Sequence, residues 1–124
     1  MKTESSFHFP REERLKGTNE IRETFKRKKC VSCPGAKLFL LKNGLPHNRI
    51  AFAFPRKYGT AVERNRSRRL SREVYRLLRN QVRWGYDLVL LVYPGQDLFS
   101  TRRDQLEKLL TRAGLWNSPD GQES

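Results

Sequence analysis

The stretch Arg49-Ile50-Ala51-Phe52-Ala53-Phe54-Pro55-Arg56-Lys57-Tyr58-Gly59-Thr60-Ala61-Val62-Glu63 decides how this chain folds. Its first six residues alternate in size. Ile50, Phe52 and Phe54 point to one side of a strand, Ala51 and Ala53 to the other. The large side should meet a core; the small side leaves room for another backbone or a ligand. Pro55 to Gly59 stops the strand. Thr60 and Glu63 then form a capping box, Thr at the N-cap and Glu at N3. Neither Pro nor Gly occurs from Ala61 to Arg83, so the pattern predicts a helix over those residues. At ~1.5 Å per residue it is about 30 Å long.

Further strands lie on either side. Tyr86 to Tyr93 (YDLVLLVY) reads as a buried strand stopped by Pro94-Gly95, and Ala36 to Lys42 (AKLFLLK) as another, followed by an Asn43-Gly44 turn. A short strand over Lys29 to Ser32 precedes the Pro34-Gly35 turn. Thr18 is placed to cap a first helix, Asn19 to Lys28, with Ile21 and Phe25 on one face. A last helix, Thr101 to Ala113, ends at Gly114. These elements predict one domain over residues 1–116, with an extended arm at 1–17, and a disordered tail at 117–124.

The chain has 124 residues with 26 Lys and Arg against 13 Asp and Glu, a formal net charge of +13. No stretch of about 18 apolar residues is present to span a membrane, and no apolar signal segment opens the chain. With two cysteines, a disulfide scaffold is excluded, and the cytoplasm is the expected compartment. Such a charge points to a polyanion, nucleic acid first.

The predicted long helix concentrates that charge. Residues 56–80 hold nine basic residues against two acidic ones, a balance of +7. On a helical wheel Arg64, Arg68, Arg72, Arg76 and Arg79 form one stripe, with Arg69 beside it. Val62, Leu70, Val74, Leu77 and Leu78 form the side expected to pack on a sheet, with Arg66 falling within it. The basic side is expected to be bare. A merely solvated face would intersperse signs, and Arg suits bidentate phosphate contacts.

The run Arg56-Lys57-Tyr58-Gly59-Thr60-Ala61-Val62-Glu63-Arg64-Asn65-Arg66-Ser67-Arg68-Arg69 resembles the signature of the bacterial ribonuclease P protein subunit. The resemblance extends to Phe9 through Lys16, Phe25-Lys26, Arg49-Ile50, Asp87-Leu88-Val89 and Ala113-Gly114-Leu115. It implies an α/β (α+β) two-layer sandwich of about four strands and three helices. The implied β-α-β crossover is left-handed, as in the ribosomal protein S5 domain 2-like fold, against the usual hand. It further implies a subunit that joins a large catalytic RNA, which cleaves the 5′ leader from precursor tRNA with Mg2+ ions held by the RNA. Carried over, Lys57, Arg64, Asn65, Arg66, Arg68, Arg69, Arg72 and Arg76 would contact the catalytic RNA. Phe25, Ile21, Phe39 and Leu41, with Arg64 and Asn65, would bind the leader, by aromatic stacking over a basic groove. The chain departs from the family pattern at Ile21 and Leu41, where aromatics are usual, at Ala53 and Pro55, where serines are common, and at Tyr93, where Arg is frequent. These leave fewer stacking surfaces and donors. No residue of this chain is expected to be catalytic.

Other signals are weaker. Cys30 and Cys33 form a lone CxxC without the four ligands zinc uses, and no metal site is expected. Trp84 and Trp116 read as packing residues. A self-sufficient ribonuclease would need paired acid–base groups; His8 falls in the arm and His47 in a loop. A DNA reader would show heptads or a helix-turn-helix, and a membrane-surface helix would need bulky apolar residues beside its basic stripe. The alternative function is a non-catalytic basic RNA-binding protein of ribosomal-protein type.

Overall fold

Three helices and four strands make up the computed structural model, which describes residues 11–26, 29–95 and 97–116. In chain order they are α1 (Thr18–Lys26), β1 (Cys30–Cys33), β2 (Ala36–Lys42), β3 (Arg49–Ala53), α2 (Ala61–Leu78), β4 (Tyr86–Val92) and α3 (Phe99–Arg112). The sheet order is β1-β2-β4-β3. β1–β2 and β2–β4 are antiparallel, whereas β3–β4 is parallel. A parallel pair needs a long crossover, and α2 supplies it. The predicted α+β layering is therefore present, and β2 has the predicted ends. Residues 1–10 and the tail 117–124 lie outside the described residues, as do His8 and the run Arg27-Lys28.

The alternation in β3 works as read: Ile50 is buried and Phe52 packs on the same core. That core joins Leu38, Leu40, Leu88, Leu90 and Val92 of the sheet to Val74, Tyr75 and Leu78 of α2 and to Leu106, Leu109 and Leu110 of α3. On the opposite face α1 lays down a buried Thr24 and sets Phe25 edge-on to Phe39 of β2, with centroids 4.6 Å apart. Covered on both faces, β4 buries Asp87 to Leu90 without a break.

Several boundaries differ from expectation. The first helix begins at Thr18, so Gly17 takes the cap position and its carbonyl accepts from the Ile21 amide. The capping box at Thr60 and Glu63 is present in both directions. The long helix, however, ends at Leu78 and tightens into a 3-10 turn over Arg79–Gln81. Its end is set by tertiary bonds. Asn48 donates to the Arg83 carbonyl and accepts from the Tyr86 amide, pinning the turn into β4. Residues 11–16 are drawn onto the domain: after a 3-10 turn at Arg11–Glu13, the Leu15 amide donates to the Ile50 carbonyl and the Leu15 side chain is buried.

The inner face of α2 differs most. Ser67, Ser71, Val74, Tyr75 and Leu78 are buried, whereas Val62 and Leu77 are exposed, and so is Arg66. Two serines can face inward because Arg102 of α3 meets them. Its guanidinium is 2% exposed and donates to Ser71 at 2.6 Å, to Ser67 at 3.3 Å and to Asp97 at 2.6 Å. Ser67 and Tyr58 also donate to Asp97. A second ion pair, Arg49 bidentate on the buried Asp87 at 2.8 Å, ties β3 to β4.

Two outcomes test this packing. Arg102→Ala orphans a largely buried carboxylate and should cost about 3–5 kcal/mol in urea denaturation. Burial pushes the phenols of Tyr75 and Tyr58 above their ordinary range. The folded state therefore favours the neutral form, and its advantage is full below the unfolded pKa of about 10 and lost as pH rises past it. The urea midpoint should fall between about pH 9 and pH 11, and fall less in Tyr75→Phe.

Candidate nucleic-acid interface

The arginines of α2 do not sit opposite its packed side; they run along one flank of it. Arg64, Arg68 and Arg72 are each half-buried rather than bare. The capped N-terminus of α2 fixes Arg64, whose guanidinium donates to the Gly59 carbonyl at 3.1 Å. One turn on, Arg68 lies over the Phe54 ring, 5.0 Å from its centroid, and donates to Asn65 Oδ1 at 3.2 Å. This cation–π contact orders the long side chain at little cost. Another turn on, Arg72 makes no ion pair among the described residues. Burial first, then the nearby Arg14 and Arg68 cations, hold its pKa below the usual guanidinium value.

Arg68 and Arg72, with Arg14, line one cavity of about 250 Å³ between α2, the outer edge of β3 and the segment before α1. Lys16 and Ile21 line it too, with Ile50, Ala51 and Phe52. None of its lining residues carries a carboxylate, and like charges brought close together repel. An anion entering this cavity removes that repulsion, and guanidinium groups match phosphate oxygens bidentately.

The second half of the helix is different. Arg76 pairs with Glu73 at 2.7 Å, and Arg79 pairs with Glu13 at 3.1 Å. The stripe expected to be bare is thus neutralised at its C-terminal end. Sequence alone hid the Glu13 partner because it lies 66 positions away. Lys57, Asn65, Arg66 and Arg69 are exposed around the first two turns of α2 and the turn before it.

Among the residues expected to bind a single strand, Phe25 and Phe39 meet, and Ile21 faces the arginine cavity. Leu41 stands two residues on along β2, on the same face as Phe39. It lines a separate cavity of about 360 Å³ with Lys29, Lys42, Tyr86 and Ala113. Phe52 and Phe54 pack against the core, as does Trp116, but Trp84 is 65% exposed and does not pack as expected. The residues missed by sequence reasoning are Arg14 and Lys16. Their signal was present as basic residues flanking Leu15, yet nothing local shows that Arg14 bridges to Ile50.

No cluster of His, Cys, Asp and Glu among the described residues is able to hold a metal ion. Mg2+ takes oxygen ligands; on this face the carboxylates Glu73 and Glu13 are already paired with arginines. Among the described residues, this face does not fit that ion. Cys30 and Cys33 are both free thiols on β1. No helix of the described residues is long and apolar enough to cross a membrane.

If the arginine cavity is held by repulsion rather than by pairing, Arg72→Ala should leave the melting temperature unchanged or slightly higher. Arg102→Ala gives the opposite sign. Scanning calorimetry of the two variants separates a cation placed for a ligand from one placed for the fold.

Comparison with known proteins agrees with the geometry. The Ribonuclease P family profile matches residues 9–114. The ribonuclease P protein component of Caldanaerobacter subterraneus is 32% identical over 109 residues, 86% of this chain and 94% of that protein. The component from Dictyoglomus thermophilum is 32% identical over 112 residues, 87% of this chain and 93% of that protein. Among solved structures, the RNase P protein from Thermotoga maritima superposes with a TM-score of 0.73 at 28% identity, covering 81% of this chain and 96% of that one. The Staphylococcus aureus RNase P protein, at 20% identity and a TM-score of 0.75, covers 85% of this chain and 98% of that one and shares the fold.

Proposed function

This chain belongs to the ribonuclease P protein family, as the protein component of that RNA-catalysed endoribonuclease, and from this premise we propose how its surface serves the reaction. The N-terminal two-thirds of α2 and the turn before it, with Lys57, Arg64, Asn65, Arg66, Arg68, Arg69 and Arg72, bind the catalytic RNA. The arginine cavity receives one of its phosphates. The observation that carries this is the convergence of Arg14, Arg68 and Arg72 on one cavity, where Arg72 makes no ion pair among the described residues. The positive end of the α2 dipole points the same way. Arg76 contributes less than the others, because Glu73 already occupies its guanidinium.

The leader of precursor tRNA is the proposed second partner. Phe25 and Phe39 offer aromatic surface on the sheet face that carries Ala51 and Ala53, whose small side chains leave depth beside them. Ile21 and Arg68 connect that face to the phosphate cavity. Stacking on aromatics above a cationic groove is how single-stranded RNA is held without sequence readout. The protein's part is binding and charge neutralisation in a cytoplasmic ribonucleoprotein. The Mg2+ ions used in cleavage belong to the RNA, since the protein face is cationic and presents no carboxylate set for them.

Three measurements test the proposal. A ribonuclease P RNA and this protein, mixed at low Mg2+, should cleave precursor tRNA at the 5′ end of the mature sequence, while the protein alone gives no product. Product from the protein alone would refute the subunit assignment. Affinity for the catalytic RNA should fall linearly on a log–log plot against salt. Replacing Arg64, Arg68 and Arg72 together by Ala should reduce that slope by about two, with the fold intact by circular dichroism. Phe25→Ala should raise KM for substrates with a leader and leave binding to the catalytic RNA within about twofold.

A further inference from the structure

A cavity of about 350 Å³ opens at the far end of the arginine helix, distinct from both sites above. It is backed by two buried side chains, Tyr75, 1% exposed, and Val82. On its wall the Arg79–Glu13 pair is closed, and Asn48 spends both ends of its amide on the turn into β4. What remains open is Trp84, with His47 and Asn80. Trp84 is the most exposed large apolar side chain among the described residues. Asn80 is exposed and its amide makes no hydrogen bond among the described residues. Exposing an indole beside a cavity forgoes a large burial gain, and neither helix packing nor strand pairing requires it at this turn.

We propose that this cavity is a binding site for one unpaired nucleobase of the catalytic RNA, stacked on Trp84 and hydrogen-bonded along its edge by Asn80. The proposal rests on the subunit reading above and extends it to a contact that electrostatics alone does not provide. Three features select this occupant. A flat π-system suits an open indole face beside a cavity. An amide supplies both a donor and an acceptor for a base edge. The site also continues the arginine stripe, since Arg79 lies four turns along from Arg64, about 22 Å, and the exposed Arg83 stands next to Trp84 in the chain. An RNA strand lying along α2 therefore reaches the cavity at its far end. The leader's proposed path leaves the other way, across the sheet face under α1.

The test uses the full-length protein with ribonuclease P RNA and, separately, a single-stranded leader oligonucleotide. Trp84→Ala should weaken binding to the catalytic RNA by about 5- to 100-fold, the range of one base–aromatic stack. Trp84→Phe should recover most of it. Because Trp84 carries no charge, the salt slope should stay unchanged, unlike that of the arginine variants. In a Trp116→Phe background, emission from Trp84 should quench on adding the catalytic RNA but not the leader oligonucleotide. An unchanged melting temperature for Trp84→Ala shows that the loss is not one of folding. Affinity for the catalytic RNA within twofold of wild type, or quenching by the leader alone, overturns the assignment. If the wild-type protein itself fails to bind the catalytic RNA, the subunit reading falls and this site with it.

Discussion

The buried guanidinium of Arg102 sets the geometry on which the arginine-lined surface of α2 depends. It is held by Asp97 and by the hydroxyls of two serines on α2. A helix packed only by aliphatic residues can slide or rotate by small amounts at little cost. One whose inner face carries Ser67 and Ser71 on a single buried cation cannot, because each displacement leaves a buried polar atom without a partner. Tyr58 joins the same carboxylate and ties in the turn that precedes α2. The N-terminal half of the helix is thereby fixed in rotation, and Arg64, Arg68 and Arg72 are aimed along the β3 edge.

Charge is sorted along α2 by this placement. Toward the C-terminus, acidic partners neutralise Arg76 and Arg79. Toward the N-terminus the cations are ordered by other means, a carbonyl for Arg64 and an aromatic ring for Arg68, with Arg72 half-buried one turn on. Ordering a cation without neutralising it keeps its charge available and removes part of the entropy that a phosphate contact would otherwise cost. The far end of the helix, where charge is already matched, presents aromatic surface at Trp84 instead. The two ends suit two different parts of a nucleotide, the phosphate and the base.

Much of this was legible along the chain. Alternation in Arg49 to Phe54, the capping box at Thr60, the hydrophobic run in β4 and the basic run in α2 each depend on residues within a few positions of one another. Local periodicity therefore reads them correctly. What escaped were contacts between distant positions. The wheel placed Val62 and Leu77 inside because they are apolar, yet both are exposed. Ser67 and Ser71 face inward, because Arg102, more than thirty residues away, meets them. In the same way Trp84 reads as a packing residue by type, and only its place on the turn after α2 exposes it.

The sequence by itself determined the order of strands and helices, the concentration of positive charge on one helix and the family to which that pattern is similar. Each follows from local spacing, and spacing survives in one dimension. Only the tertiary structure decided which arginines are paired, which converge on one cavity and where aromatic surface stays open. Those outcomes depend on carboxylates, hydroxyls and edges brought together from far along the chain. Desolvation and Coulomb terms act through space and fall steeply with distance. A pair such as Arg79 and Glu13 therefore acquires its meaning only when the chain has folded.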